Sequence, residues 1–247
     1  MNITEGFVEP ECLYKFTNRK YVENWTDFQC VRISSNLYFA REYREMEIPD
    51  SFIFDPHEGR VILNQTYAFS DSDATVAERQ VADLMLRGLG PLRSGMHLEG
   101  NVVEVTVPEF HMLCFAHGSF DELKEVFQDE QRQTGDPYDA ALRISSATDL
   151  ASLLFRRGVV HLTDKDEYLP VREVFTVGAN YVQYSDIVRD WRSGLPIASP
   201  YIKDRAFCIQ SEFRIVFNKI DLNDGYDQEH FVIYAPNLRD LVEVMEI

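Results

Sequence analysis

Three polar side chains, Gln210, Glu212 and Arg214, interrupt an otherwise apolar segment near the end of the chain. The segment runs from Ala206 to Phe217 and reads AFCIQSEFRIVF. Because side chains alternate between the two faces of a strand, an extended segment places these three on one face. A polar row in a core-like strand is costly unless its members are satisfied or used. The row therefore predicts either a functional site or the solvated face of an antiparallel sheet.

A second group of chemically capable side chains is Asp55-Pro-His57-Glu58, which combines two carboxylates with an imidazole. Such a group can hold a metal ion for hydrolysis, so a metal-dependent hydrolase is one alternative. The group lacks a second histidine at helical spacing, which makes a surface turn the simpler interpretation. The sequence also lacks the glycine patterns of Rossmann and P-loop sites and the GxSxG nucleophile elbow.

Near the start of the chain, Arg32 lies in the apolar run CVRISS, which ends in Ser34 and Ser35. A charged residue within such a run needs a partner or a use. Hydroxyl groups at the end of a strand either hold a ligand or begin a turn, and the sequence leaves both alternatives open for this pair.

Hydrophobic periodicity predicts the elements that position these side chains. Strands are predicted over Leu13 to Thr17, Phe28 to Ser35, Val61 to Phe69, Asn101 to Val107, His111 to Ala116, Tyr138 to Ser146, Gly158 to Leu162, Val174 to Tyr184, Ala206 to Ile220 and His230 to Ala235. Helices are predicted over Asn18 to Phe28, Thr75 to Arg87, Ser119 to Gln133, Thr148 to Arg157 and the tail to Ile247. This mixture lacks βαβ regularity, so it predicts one α+β domain over residues 1–247 with a split, mixed or antiparallel β core and flanking helices.

Composition indicates a globular, acidic protein. Lys and Arg total 24 against 41 Asp and Glu, which gives a net charge of −17. That charge repels phosphate backbones at long range and disfavours passive coating of nucleic acid. The cysteines are scattered without CxxC spacing, and the N-terminus lacks an apolar signal region. We therefore expect reduced thiols, a cytoplasmic location and no membrane partner.

Several short motifs resemble those of a widespread uncharacterised bacterial family, whose members begin with LYKY and end with QxEFR. The matching segments are Leu13-Tyr14-Lys15-Phe16, Val31-Arg32-Ile33-Ser34-Ser35, Tyr38-Phe39, Asp55-Pro-His57-Glu58-Gly59, Met112-Leu113-Cys114-Phe115, Tyr184-Ser185-Asp186, and Lys203 followed by Gln210-Ser211-Glu212-Phe213-Arg214. They are spread over about residues 12–220. The family in turn is distantly similar to the ADP-ribosyltransferases.

This resemblance implies an ADP-ribosyltransferase-like fold that holds NAD as a substrate. Glu212 and Gln210 match the late Gln/Glu-x-Glu element and are the implied catalytic residues. The implied cofactor-binding residues are Tyr14, Lys15, Arg32, Ser34, Ser35 and Arg214. The first-strand position, which is Arg or His in that superfold, is filled here by Lys15 or by Arg32, and lysine lacks the planar fork of arginine.

The implied activity is mono-ADP-ribosyl transfer to a protein or nucleic-acid acceptor, of the kind used by toxins and phage-defence effectors, with an antitoxin or other partner protein. In that chemistry Glu212 would stabilise an oxocarbenium-like state, while Arg214 would pair with Glu212 or grip phosphate. The alternative is a non-catalytic module of the same fold that binds a nucleotide or a protein.

Overall fold

The computed structural model describes residues 8–39, 60–68, 97–134, 138–163, 165–186, 188–189, 199–220 and 228–247. Its strands are β1 Leu13–Thr17, β2 Cys30–Ser35, β3 Arg60–Ala68, β4 His97–Thr106, β5 His111–His117, β6 Ala140–Ile144, β7 Val159–Leu162, β8 Glu167–Pro170, β9 Phe175–Tyr181, β10 Gln183–Ser185, β11 Val188–Arg189, β12 Ile202–Asp204, β13 Glu212–Lys219, β14 His230–Tyr234 and β15 Val242–Glu246. Its α-helices are α1 Val22–Thr26, α2 Phe120–Thr134, α3 Ala147–Arg157 and α4 Val171–Val174, and 3-10 helices cover Arg19–Tyr21, Arg205–Gln210 and Leu238–Leu241.

Most of the described strands belong to one ten-stranded sheet with the order β15-β6-β1-β5-β2-β14-β7-β8. Strand β13 pairs with β5 and carries β9 on its other edge. All pairings in this sheet are antiparallel. Parallel pairs occur only in two small sheets of the described ranges, between β10 and β12 and between β11 and β3. The predicted α+β class with a mostly antiparallel sheet is thus confirmed.

The sheet splits beside β5. Strand β13 pairs with β5 from His111 to Ala116 and occupies one of its edges. The other edge is shared, since β2 pairs at its start through Ser34 and Met112, and β1 pairs at its end through Tyr14 and Ala116. Between these two pairings, neither β1 nor β2 pairs with this edge of β5. We call the gap between these two pairings the sheet split.

Apolar side chains cover both faces of the large sheet. One face carries the main core, a buried cluster that includes Leu150 and Leu154 of α3 and the sheet residues Ile33, Leu113 and Phe213. The opposite face carries separate smaller clusters on the two sides of the sheet split. One contains Tyr14, Phe16, Ala116, Leu123 and Ala141, and the other contains Phe110, Met112 and Val216. Between these two clusters, the side chains that β1, β2, β5 and β13 place on this opposite face are partly polar.

Helix α3 shows how local sequence fixes the covering elements. Ser146 caps its N-terminus, where its side chain accepts a 3.0 Å hydrogen bond from the backbone N–H of Asp149. The helix ends at Gly158, whose close neighbours leave no room for a side chain. The helix predicted from Ser119 is confirmed as α2. No described helix combines the length and the apolar run that a membrane crossing requires.

Two predictions of secondary structure are wrong. The segment predicted as one strand from Ala206 to Ile220 begins with the 3-10 helix Arg205–Gln210, and only Glu212–Lys219 is extended. Ser211 joins them in a left-handed conformation with φ 44°, so the strand alternation does not extend back to Gln210. The tail predicted as a helix forms strand β15 against β6.

Other predictions fall on residues that the structure does not describe. The helix over Thr75 to Arg87 and the group Asp55, His57 and Glu58 lie outside the described residues.

Candidate functional site

A pocket opens at the sheet split, on the face opposite the main core. Its cavity measures about 160 Å³, close to the size that holds one benzene-like ring. Its walls are Tyr14, Lys15, Phe16, Arg32, Ser34, Phe39, Met112, Leu113, Cys114, Phe115, Ala116, Phe127, Tyr138, Lys203, Gln210 and Glu212. The lining combines aromatic rings with cationic, hydroxyl and carboxylate groups, as in sites for small polar ligands.

Glu212 lies in the wall of the pocket, at the start of β13. Its carboxylate is held on both sides, because Oε1 accepts a 2.5 Å hydrogen bond from Nε of Arg214 and Oε2 accepts a 2.9 Å hydrogen bond from Nζ of Lys203. The three side chains are almost completely buried, with exposed fractions of 6% for Glu212, 0% for Arg214 and 5% for Lys203. Their arrangement is a buried ionic triad with a carboxylate at its centre.

Lys203 joins Glu212 to Gln210. The same Nζ donates a 2.7 Å hydrogen bond to Oε1 of Gln210 and lies 4.8 Å from the ring centre of Phe207. Gln210 thus reaches the site from the last position of a 3-10 helix, not from the strand face predicted for it. The left-handed Ser211 turns the chain so that Gln210 and Glu212 meet the same ammonium group.

The two cations keep Glu212 ionised. Burial alone would raise the pKa of its carboxyl group, but the charges of Arg214 and Lys203 and the hydrogen bond from Arg214 outweigh burial and hold the pKa well below its ordinary range. The carboxylate is therefore an anion at neutral pH, and its charge is balanced by its neighbours.

Two neighbours of this carboxylate stay neutral. Burial, reinforced by the charge of Glu212, raises the pKa of the Tyr184 hydroxyl and of the Cys114 thiol well above their ordinary values. The Tyr184 oxygen accepts a 2.7 Å hydrogen bond from the backbone N–H of Glu212. Cys114 is consequently a poor nucleophile in this setting, because the thiolate is the reactive form.

A second hydrogen-bonded chain enters the pocket from β2 and β14. Nη2 of Arg32 lies 3.1 Å from Nε2 of His230, and Nδ1 of His230 lies 3.0 Å from Oγ of Ser34. A guanidinium group can only donate, so Nε2 accepts this hydrogen bond and the ring N–H is on Nδ1. His230 then donates to Ser34. The ring of His230 also packs against Tyr38 at a centroid distance of 4.2 Å.

The structure brings most of the predicted site residues together. Those that line the pocket are Tyr14, Lys15, Arg32, Ser34, Gln210 and Glu212. Ser35 does not line it, since its Oγ accepts a 3.1 Å hydrogen bond from the backbone N–H of Tyr38 and begins a helical turn. Arg214 lies fully buried behind Glu212, where Nη1 also donates to the Pro200 carbonyl at 2.6 Å. Of its two predicted roles, the structure has the ion pair with Glu212.

From the sequence, Lys203 was included in a motif and was also a candidate point charge for a pyrophosphate, but its ion pair with Glu212 was not predicted and His230 was passed over. The spacing of Lys203 ahead of Gln210 and Glu212 is a usable signal, because a buried carboxylate requires a cation. His230 had no such signal, since its partners lie almost 200 positions away, with a separation of 198 from Arg32 and of 196 from Ser34.

Within the ranges that the structure describes, histidine, cysteine and carboxylate side chains form no group of three that could hold a metal ion. The metal alternative concerned Asp55, His57 and Glu58, which lie outside those ranges. Comparisons of the chain with protein-family models, with curated proteins and with solved structures find no match. The family resemblance therefore stays a prediction, and the candidate site depends on its own geometry.

Proposed function

We propose that this chain is an ADP-ribosyltransferase-like protein that binds NAD at the sheet split, with Glu212 facing the ribose of the nicotinamide end. One observation carries the proposal. Residues from three segments that are far apart in the sequence, 14–15, 32–34 and 210–212, line a single ring-sized cavity. The hydroxyl, cationic, amide and carboxylate groups expected of an NAD site are all present among them.

The proposed reaction breaks the bond between C1′ of the ribose and N1 of nicotinamide. Nicotinamide leaves with the electron pair of that bond, which neutralises its ring and leaves positive charge on C1′ and the ring oxygen of the ribose. An anionic Glu212 stabilises that charge. A nucleophile of the acceptor, or water, then bonds to C1′ and loses its proton. Gln210 is close enough to Glu212 to position this nucleophile, because both side chains bind the same Nζ of Lys203.

The first-strand role falls to Lys15 in this proposal. Both Lys15 and Arg32 line the pocket, but the guanidinium of Arg32 is engaged with His230 and lies 5.8 Å from the ring centre of Tyr38. An ammonium group acts as a point charge, which suits the phosphates of a dinucleotide as they leave the ring-sized cavity. Lys15 thus supplies charge, while Arg32 holds the Ser34–His230 pair.

The test is nicotinamide release and transfer of labelled ADP-ribose from NAD. We expect turnover by the wild-type chain and its loss in Glu212→Gln, because the neutral amide cannot stabilise the developing charge. Glu243→Gln is the matched control, since Glu243 is an exposed carboxylate that pairs with Arg143 on another part of the sheet. A folded Glu212→Gln variant with wild-type turnover would remove Glu212 from the mechanism.

The second candidate is a module of the same fold that binds a nucleotide without turnover. A specific observation favours it, namely that both oxygens of Glu212 are already engaged by cations. Under this alternative the triad is structural. Titration calorimetry with NAD separates the two, since binding with no nicotinamide release over hours selects the module, and binding with release selects the enzyme.

The wider biological role extends the proposal to a cellular setting. A toxin or phage-defence effector in the cytoplasm, with a protein or nucleic-acid acceptor and an antitoxin or other partner protein, follows from the family resemblance alone. The net charge of −17 favours a protein acceptor over a long nucleic acid.

A further inference from the structure

The backbone of β5 offers a ligand group that no side-chain motif reveals. In an antiparallel sheet, the N–H and C=O of one residue point to the same edge of the strand, and successive residues point to opposite edges. The N–H of His117 donates to the Ser211 carbonyl at 2.9 Å, on the side of β13, and the N–H of Asn36 donates to the Phe110 carbonyl at 3.0 Å, on the side of β2. Odd-numbered residues of β5 therefore face β13, and even-numbered residues face the edge with the sheet split.

Cys114 is the even-numbered residue at the middle of that edge. Met112 pairs with Ser34, and Ala116 pairs with Tyr14. The registers of β1 and β2 assign no partner to Cys114, which lies between them and lines the pocket. Its peptide N–H and C=O thus face the cavity as a donor and an acceptor side by side. Buried backbone groups are almost always paired, by the protein, by water or by a ligand.

From this geometry we infer that the backbone N–H and C=O of Cys114 form the subsite that binds the planar ring of the ligand, through an edge with an adjacent donor and acceptor. The ring then occupies the place of a missing strand residue between β1 and β2. Aromatic walls from Tyr14, Phe16 and Phe127 flank this position, and Phe16 and Phe127 are stacked on each other at 4.3 Å. The cavity of about 160 Å³ admits one ring.

This inference deepens the proposed function and takes its ligand from it. NAD has two groups with the required edge, the carboxamide of nicotinamide and the amino-pyrimidine edge of adenine. Each accepts from an N–H and donates to a C=O at once. Each also has a close analogue that cannot donate, nicotinic acid for the first and purine riboside for the second.

The experiment is amide hydrogen exchange of the full chain, followed residue by residue by NMR. In the free protein we expect the Cys114 amide to exchange at least about ten-fold faster than the amides of Leu113 and Phe115, which face β13. Saturating nicotinamide or adenosine should slow Cys114 by at least about ten-fold, while nicotinic acid and purine riboside should not. Protection of the Cys114 amide by nicotinamide would place the nicotinamide end of NAD in the subsite, and protection by adenosine would place the adenine end there.

Two results would overturn the inference. One is a Cys114 amide that is as protected as its neighbours in the free protein, and the other is no protection by either ring. The outcome is separate from the enzymatic proposal, because NAD turnover without Cys114 protection refutes only the subsite, and protection without turnover refutes only the enzyme.

A pair of variants isolates the backbone from the thiol. Cys114→Ala removes the thiol and keeps the N–H, so it is the reference with which the proline variant is compared. Cys114→Pro removes the N–H, and we expect about ten-fold weaker binding. Equal affinities of the two folded variants would contradict the inference, and the exchange experiment decides if the proline variant does not fold.

Discussion

The buried triad makes a strong prediction about stability when Glu212 is replaced by Gln. Lys203 and Arg214 bring two positive charges to one carboxylate, and all three side chains are at most 6% exposed. Removal of the carboxylate leaves two buried cations without a counter-charge. Breaking a buried ion pair in this way typically costs about 3–5 kcal/mol. We expect Glu212→Gln to lower the free energy of unfolding by that amount.

Replacement of Lys203 by Met has the opposite effect on the balance of charge. It leaves Glu212 paired with Arg214 at 2.5 Å, so the remaining buried charges cancel. Burial of one fewer ion also removes a desolvation cost of several kcal/mol. We therefore expect Lys203→Met to cost less than about 2 kcal/mol, clearly less than Glu212→Gln.

The assay is urea unfolding of both variants and the wild type at pH 7, followed by far-UV circular dichroism. Glu243→Gln serves as the exposed control, because the Arg143–Glu243 pair is 46% and 63% exposed, and such pairs contribute at most about 1 kcal/mol. A Lys203→Met variant as unstable as Glu212→Gln, or a Glu212→Gln variant no less stable than Glu243→Gln, would refute the account of the triad.

Two further predictions concern the main core. Burial lowers the pKa of His111 from 6.5 to about 4, so the unfolded chain binds this proton at a higher pH than the folded chain does. The free energy of unfolding should therefore fall by about 3 kcal/mol between pH 6.5 and pH 4. A His111→Gln variant should lose this part of the pH dependence in urea unfolding, and an unchanged profile would exclude His111 as its source. Gly158→Ala should destabilise the chain by at least about 2 kcal/mol, because a Cβ there would lie 2.2 Å from the Leu154 carbonyl oxygen and 2.9 Å from a methyl carbon of Ile233. A thermal midpoint within about 2 °C of wild type would contradict this close packing at the C-terminal end of α3.

Local sequence signals were sufficient for the strands that build the site. Strands β1, β2, β5 and β14 were predictable within a few residues, since each is a short apolar run between turn residues. The 3-10 helix Arg205–Gln210 was missed because its apolar residues continue the alternation of β13. The helix is set by local interactions. The Asp204 side chain accepts a hydrogen bond from the backbone N–H of Ala206 at its start, and Ser211 adopts a left-handed conformation at its end.

Tertiary pairing decided what local patterns could not. The tail Val242–Glu246 has residues compatible with a helix, but it pairs along β6 and completes the edge of the sheet. The sheet split and the orientation of the Cys114 peptide depend on the registers of β1 and β2 against β5. The pairing of strands that lie far apart in the chain cannot be identified from a single sequence, so the subsite became visible only in the structure.

The most direct test of the central claim is a crystal structure of the chain with bound NAD or, if turnover is fast, with a non-hydrolysable NAD analogue. The account predicts one ring of the dinucleotide between β1 and β2 against the Cys114 peptide, with the nicotinamide ribose beside the Glu212 carboxylate and the phosphates near Lys15. A dinucleotide bound elsewhere would contradict the proposed enzyme. So would a Glu212 carboxylate that keeps its ion pairs with Lys203 and Arg214 and makes no contact with the ribose.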